Sequence, residues 1–528
     1  MKKKLLKNVV AFLAVGTLAL TAFTGCGSDK EVAMGGSGVT YPNGDGTYPV
    51  SSEDTLKIWL QDFRVPGFDE TPMAKAWKEQ TGVNVEFIQP AGESVEAINL
   101  MIASGELPDI IYADLSTYPG GVQKYATDNV IIPLNDQIDK YMPNLKKVYE
   151  QRPEIKKLVS ADDGKYFSAP FIYEDESLQS TCGPIVRKDL LDKAGLAIPE
   201  TIDEWHTVLT KFKEMGMTAP LSYDFKTIEK QGGAFLGAYG TKLNFYVKDG
   251  KVRYGFLEPE MKEALKTMNT WYSEGLLDTD IVKVTDLDAK MLNGKTGGSV
   301  NWAGSGIGKY LSAKAGKDDA YNLVAAPYPV LKKGDRPQFG LKNFATNTFC
   351  NAYITTACKN VELAARFLDY GYSEKGGLLF NFGIEGESYT MVDGNPVYTD
   401  LIMKNPDSSP SDMMRKYMHN ASGTFVQDKR YLTQFYQTQQ QKDAVQIWKE
   451  TDTLNYMLPP LSLTIEESQK IADIMGNIET NVDENAYKFI MGIKPFDEYD
   501  QVIKEIKGFK IDDALSIYQA AYDRYTKR

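Results

Sequence analysis

The stretch Ser104-Gly105-Glu106-Leu107-Pro108-Asp109-Ile110-Ile111-Tyr112-Ala113-Asp114 constrains this chain more than any other. Before it, Val95, Ile98, Met101 and Ile102 recur at helical spacing and stop at Gly105, a residue suited to the left-handed turn that ends a helix. After it, residues 109–113 form a short apolar run of β-branched and aromatic side chains, the pattern of a strand buried on both faces. Pro108 forbids further helix and sets the turn between them. A helix feeding a buried strand predicts an α/β fold with a parallel sheet. Ligands of such sheets sit beyond the carboxyl ends of the strands, so Tyr112 and Asp114 are predicted to face a crevice.

The preceding residues extend the pattern. Leu56, Ile58 and Leu60 alternate with Lys57 and Trp59 as a strand; Thr71-Pro72 opens a helix carrying Met73, Ala76 and Trp77; residues 83–87 form another strand. Together they predict a βαβαβ lobe. A chain of 528 residues is too long for one core, so a second compact unit is expected. Thr201 and Glu204 form a capping box for a helix containing Trp205, which reads as packing. Residues 260–272 make an amphipathic helix with Met261, Ala264, Leu265, Met268 and Trp271 on one side. Residues 344–355 read as a strand returning to the first lobe, and residues 361–370 as a helix with Leu363, Ala364, Phe367 and Leu368 inward.

Residues 1–25 have the form of a targeting segment: Lys2, Lys3, Lys4 and Lys7, then an apolar run too short for a comfortable membrane span. They end in Phe23-Thr24-Gly25-Cys26, small residues before a cysteine, which looks like a lipobox with Phe23 in place of the usual aliphatic residue. Lipidation at Cys26 is the expectation; ordinary secretion with a structural Cys26 is the competing reading. Residues 26–50, rich in Gly, Ser, Pro, Asn and Asp, read as a flexible tether. The net charge of −12 becomes −16 once the four lysines leave with the leader, which argues against a nucleic-acid partner.

Several segments resemble the extracellular solute-binding proteins of family 1, the binding components of sugar ABC importers, and in particular the long oligosaccharide-binding lipoproteins of Gram-positive bacteria. The segments are residues 104–114, 163–175, 185–212, 293–310, 383–400 and 517–525. The resemblance implies a two-lobed, periplasmic-binding-protein-like (type II) α/β fold with a hinge, a central ligand cleft and a helical C-terminal portion. It implies a first lobe of residues 51–170 plus 345–400 and a second of residues 171–344 plus 401–528. It further implies a monomer anchored at Cys26 on the extracellular face of the membrane, delivering an oligosaccharide to ABC permease subunits without acting as an enzyme.

Sugars offer an apolar C–H face and a rim of hydroxyls, so aromatic rings and carboxylate, amide or guanidinium groups recognise them. Candidates near strand ends are Trp59, Asp62, Arg64, Tyr112, Asp114, Phe171, Tyr173, Glu174, Tyr223, Trp302 and Asn343, with Trp302 the preferred stacking platform. With only Arg64 clearly basic among them, a neutral oligosaccharide is expected, although Arg64 also suits a uronate.

Other chemistries fit poorly. Lys295-Thr296 lacks the glycine a phosphate loop needs at Ala289, and Lys309 stands where a dinucleotide fingerprint needs its third glycine. The residues around Asn43-Gly44-Asp45-Gly46 lack end ligands for calcium, and no calcium-binding insert follows Glu214. His206 and His419 lie far apart, no Cys/His cluster has zinc spacing, and no G-x-S-x-G occurs, so neither metal nor cofactor is expected. Cys182, Cys350 and Cys358 read as buried thiols. The alternatives are a secreted glycoside-active enzyme using paired carboxylates such as Asp114 and Glu174, and a binder of a non-sugar solute such as a peptide.

Overall fold

The computed structural model describes residues 38–528, apart from residues 45, 62–64, 91–93, 116–120 and 420–422. Along the chain run β1 (Thr55–Leu60), β2 (Asn84–Ile88), β3 (Ile110–Ala113), β4 (Ala169–Tyr173), β5 (Cys182–Arg187), β6 (Phe245–Lys248) and β7 (Lys251–Tyr254). There follow β8 (Gly298–Trp302), β9 (Leu323–Ala325), β10 (Thr346–Ile354), β11 (Tyr389–Val392), β12 (Asn395–Tyr398) and β13 (Val426–Gln427).

The first lobe is built on a six-stranded sheet in the order β13-β4-β10-β3-β1-β2. β1 is parallel to β2 and β3, as the opening motif predicts, and β10 is antiparallel to both β3 and β4. Gly105 takes φ 72°, the left-handed conformation that closes the helix Ser94–Ser104 before β3. The Thr71 hydroxyl accepts from the Ala74 amide at 3.2 Å and caps the helix Pro72–Thr81, whose Trp77 stacks on Phe367 at 4.3 Å. Alternation sends Ile110 and Tyr112 to one side of β3, and Ile111 and Ala113 to the other; both sides are buried.

The second lobe centres on the sheet β8-β5-β9, antiparallel throughout. Helix Ile202–Glu214 packs Trp205 edge-on against Phe235, and its capping box forms as expected, with Glu204 N donating to Thr201 Oγ1 at 3.1 Å. Helix Pro259–Ser273 buries Met261, Ala264, Leu265, Met268 and Trp271. The helices Ile465–Ile490 and Ile511–Thr526 pack on it and on β7. Near the chain end, Arg524 Nε and Arg528 Nη2 reach Asp162 of the first lobe at 2.7 and 2.6 Å.

Two features depart from expectation. Val426–Gln427 falls in the stretch expected within the second lobe, yet pairs with β4 at the edge of the first sheet. In the stretch expected to be a tether, Thr40 pairs with Ser51, and Tyr48 donates to the Arg366 carbonyl at 2.5 Å while meeting Tyr370 edge-on at 4.9 Å. Arg366 lies over the Tyr41 ring at 4.9 Å. Two tyrosines thus fasten an arm of polar and glycine-rich composition. Cys182 and Cys358 are buried free thiols whose pKa values burial pushes up; Cys26 lies outside the described residues.

Candidate functional site

All strands of the first sheet except β10 run the same way, so the carboxyl ends of β1, β2, β3, β4 and β13 share one edge with the amino end of β10. From this edge the chain passes between the lobes three times. Residues 174–181 lead from β4 to β5, residues 326–345 from β9 back to β10, and residues 428–438 from β13 to the helix Gln439–Trp448 on the second sheet.

The crossings are tied to each other. Tyr173 N donates to Ala345 O at 2.8 Å, Asn343 N to Gln179 O at 3.0 Å, and Glu174 N to Gln427 O at 3.1 Å. The exposed Glu174 carboxylate accepts from Lys429 N at 2.8 Å, and Asp175 caps the short helix Glu176–Gln179 by accepting from Ser177 N. The amides of Asn343 and Asn347 both point to the Tyr173 hydroxyl at 3.4 Å. Burial raises the Tyr173 pKa, so the phenol stays neutral and able to donate as well as accept. Short segments bonded side by side between two lobes have the form of a hinge.

Trp302 ends β8 opposite Cys182, where the first crossing enters β5, and keeps 46 % of its surface exposed. Two residues on, Gly304 passes close to Phe435, such that a Cβ there would lie 3.4 Å from the ring. Phe435 stacks on Tyr431 at 5.5 Å and lies 5.6 Å from Tyr436. The glycine-rich turn after Trp302 packs against Gln441, whose amide donates to Ala303 O at 3.1 Å. These glycines serve close packing, in keeping with the failed phosphate-loop pattern.

Tyr173, Glu174 and Asn343 therefore meet at the crossings, Trp302 stands at the entrance to β5, and the half-buried Asp114 sits at the end of β3 with its amide on Gln61 Oε1 at 2.8 Å. Four candidates lie elsewhere. Tyr112 is fully buried, edge-on to Trp77, with its hydroxyl 3.0 Å from Thr424 Oγ1. Phe171 is buried against Tyr173 and Phe425. Trp59 lies beneath the opposite sheet face, and Tyr223 donates to the buried Glu229 carboxylate at 2.9 Å. None of the four has appreciable surface to offer a ligand in this arrangement: Trp59, Tyr112 and Phe171 lie on strands covered on both faces, and Tyr223 is buried in the loop before the helix Phe225–Gln231. Asp62 and Arg64 lie outside the described residues.

Sequence reading passed over Gln61, Asn347, Lys429 and the Tyr431–Phe435 pair, which gather at the same edge or at the third crossing. Their one signal was the aromatic spacing in residues 431–436, inside a stretch read only as helical. His206 pairs with Glu274 at 2.6 Å on the second lobe, and His419 is buried against Phe380 in the first, so the histidines stand apart.

Residues 68–378 match the family of bacterial extracellular solute-binding proteins. The chain belongs to this family. Over 96% of its length the solute-binding protein is 27% identical to the fructooligosaccharide ABC transporter substrate-binding protein FusA of Streptococcus pneumoniae, spanning 97% of that protein. The structure of FusA in complex with kestose superposes with a TM-score of 0.69 at 25% identity, over 90% of this chain and all of that one. The alginate-binding protein AlgQ2 without calcium ion gives 0.71 at 25% identity, over 89% of this chain and 98% of that one. Lipoprotein LipO of Bacillus subtilis is 27% identical over 67% of this chain and 71% of its own. These solved relatives are two-lobed solute-binding proteins, as is this chain.

Proposed function

We propose that this solute-binding protein captures an oligosaccharide between its lobes and releases it unchanged to an ABC importer. The observation that carries the reading is the end-to-end likeness to a fructooligosaccharide-binding protein, joined to a hinge edge furnished with a half-exposed indole and convergent amide, phenol and carboxylate groups. Asp114, Tyr173, Glu174, Trp302 and Asn343 are the sequence candidates assigned to the ligand in this reading, with Asp62 and Arg64 assigned on the resemblance alone. Ligand contacts made to both lobes favour the closed state, and it is that state that the importer accepts.

In the same reading the protein is not an enzyme. The support is that the named relatives are binding proteins; Glu174, besides facing the ligand, holds the first crossing to the third through Lys429 N. The protein acts as a monomer on the extracellular face, held by lipid at Cys26; the likeness to a lipoprotein supports the anchor.

The test is a thermal-shift screen of the purified chain with kestose, longer fructooligosaccharides and alginate oligomers, followed by chromatography of the recovered sugar. A ligand at a hundred times its Kd stabilises by about 2.7 kcal/mol. Stabilisation with intact sugar is expected. Shortened products would sink the binding reading, and stabilisation by peptides with none by any glycan would sink the carbohydrate assignment.

A further inference from the structure

The lobes also meet at a seam that no crossing passes through. There the first lobe brings the helix Gly121–Thr127, the end of the helix Pro153–Val159 and the turn between Ser160 and Tyr166. The second brings residues 460–468 and the helix Ile511–Thr526. Three charged side chains fasten the two sides. The Asp162 carboxylate accepts from Arg524 Nε at 2.7 Å, from Arg528 Nη2 at 2.6 Å and from Arg528 Nε at 2.9 Å. Arg528 also donates to the Ser160 carbonyl and, at 2.9 Å, to Ser462 Oγ. Arg524 donates to Ser462 O at 3.0 Å and to Glu467 Oε2 at 2.7 Å, which holds it in place on its own lobe. Lys157 of the first lobe lies over the Tyr525 ring at 4.9 Å and reaches Thr526 O at 3.4 Å.

Two features distinguish this seam from a permanent core. Bonds from side chains hold it, since residues 157–162, 462–467 and 524–528 all lie outside the three crossings at 174–181, 326–345 and 428–438. It is also incompletely filled. A cavity of 200 Å³ lies beside the ion pairs, with Gln123, Ser168 and Asn351 on its first-lobe wall and Leu461 and Ser468 on the second. Protein interiors close-pack and leave few voids larger than a water molecule. A polar seam with room inside it has the make-up of a contact that separates when domains move. The Arg528 side chain keeps 5 % of its surface exposed and that of Asp162 22 %. The pairs are thus neither fully solvated, where ion pairs contribute little, nor sealed from salt.

We infer that Asp162, Arg524 and Arg528 form an ionic clasp that holds the lobes in the arrangement of this structure and parts when they turn about the crossings. The inference rests on the hinged-lobe reading given above and adds to it the residues that set the resting position. A ligand that favours another arrangement works against the clasp, so the strength of the clasp enters the apparent affinity. Salt screens the pairs, which makes the balance between arrangements depend on ionic strength with no change at the site itself.

The experiment places p-acetylphenylalanine at Leu100 of the first lobe and at Ile493 of the second, 71 % and 65 % exposed, and couples a nitroxide to each ketone. Double electron–electron resonance then reads the distance between them in the full chain without sugar. One narrow distance is expected at low salt. Asp162→Asn, and independently Arg528→Gln, should add a second distance and shift the ratio of arrangements about tenfold, with circular dichroism unchanged. Sodium chloride at about 1 M should move the wild type the same way and leave Asp162→Asn where it was. Lys140→Gln, which opens a pair with Asp136 wholly inside the first lobe, should leave the distance as in wild type. Distributions in both clasp variants that match wild type, or a shift that Lys140→Gln reproduces, would overturn the clasp. The readout needs no bound sugar, so it stands apart from the thermal-shift screen. If no glycan stabilises the chain but the clasp variants shift, only the ligand assignment is lost; if glycans bind and the variants do not shift, only the clasp is lost.

Discussion

Replacing Trp302 by alanine tests the proposed cleft most directly. The indole keeps 46 % of its surface exposed at the end of β8, which on a side chain of about 250 Å² leaves about 115 Å² available. A sugar ring lying on one face covers about half of that, and at about 25 cal/mol per Å² the contact contributes about 1.5 kcal/mol. Trp302→Ala is therefore expected to weaken oligosaccharide binding about tenfold, and Trp302→Phe, which keeps a smaller flat face, about threefold. Titration calorimetry on folded protein, with folding checked by circular dichroism, measures both. Stability lost at the buried half of the ring does not enter, because the affinity is read on the folded fraction. A change of less than about twofold for Trp302→Ala would refute the stacking role and move the platform to Tyr431 or Phe435.

Three further outcomes follow from the packing. Burial lowers the His419 pKa to about 3, so the unfolded chain takes up a proton below about pH 6.5 that the folded chain refuses; stability is full above that pH and falls by about 2 kcal/mol by pH 5. In His419→Phe, urea titrations across this range should lose that part of the acid sensitivity. Asp162→Asn removes the carboxylate shared by Arg524 and Arg528, the latter only 5 % exposed, and should cost about 2 kcal/mol in urea unfolding, with the gap from wild type narrowing in 1 M salt. Gly183→Ala would drive a Cβ into the indole of the buried Trp448, which bonds Ala326 O at 3.1 Å across the second lobe; a loss of about 1–3 kcal/mol in thermal unfolding is expected, and an unchanged midpoint would contradict the packing.

Much of the scaffold was legible because local signals agreed with the global arrangement. Gly105 ends its helix, Pro108 turns the chain, Thr201 and Glu204 box their helix, and Trp271 sits inward on its apolar stripe. The site was less legible for a geometric reason. Period-two alternation tells which strand residues share a face, but the crevice of an open α/β sheet lies beyond the strand end and touches neither face. Tyr112 and Phe171 were thus drawn to the site by type and position along the strand, while burial on both faces claimed them. Asp114 and Glu174, one residue past the ends of β3 and β4, were placed by the same reasoning and do stand at the edge. The third crossing was hidden because β13 is two residues long and leaves no periodicity to read. The arm was hidden because its composition suits a linker, while Tyr41, Tyr48 and the buried Val50, whose amide donates to Thr81 O at 2.8 Å, give it a grip.

That grip sets how load travels through the molecule. A pull on the amino terminus enters at Tyr41 and Tyr48 and is taken up by Arg366 and Tyr370, within the first lobe. The three passes between the lobes lie outside that path. In the proposed lipid-held protein, tension from the amino terminus would be borne within one lobe and bypass the passes on which closure turns.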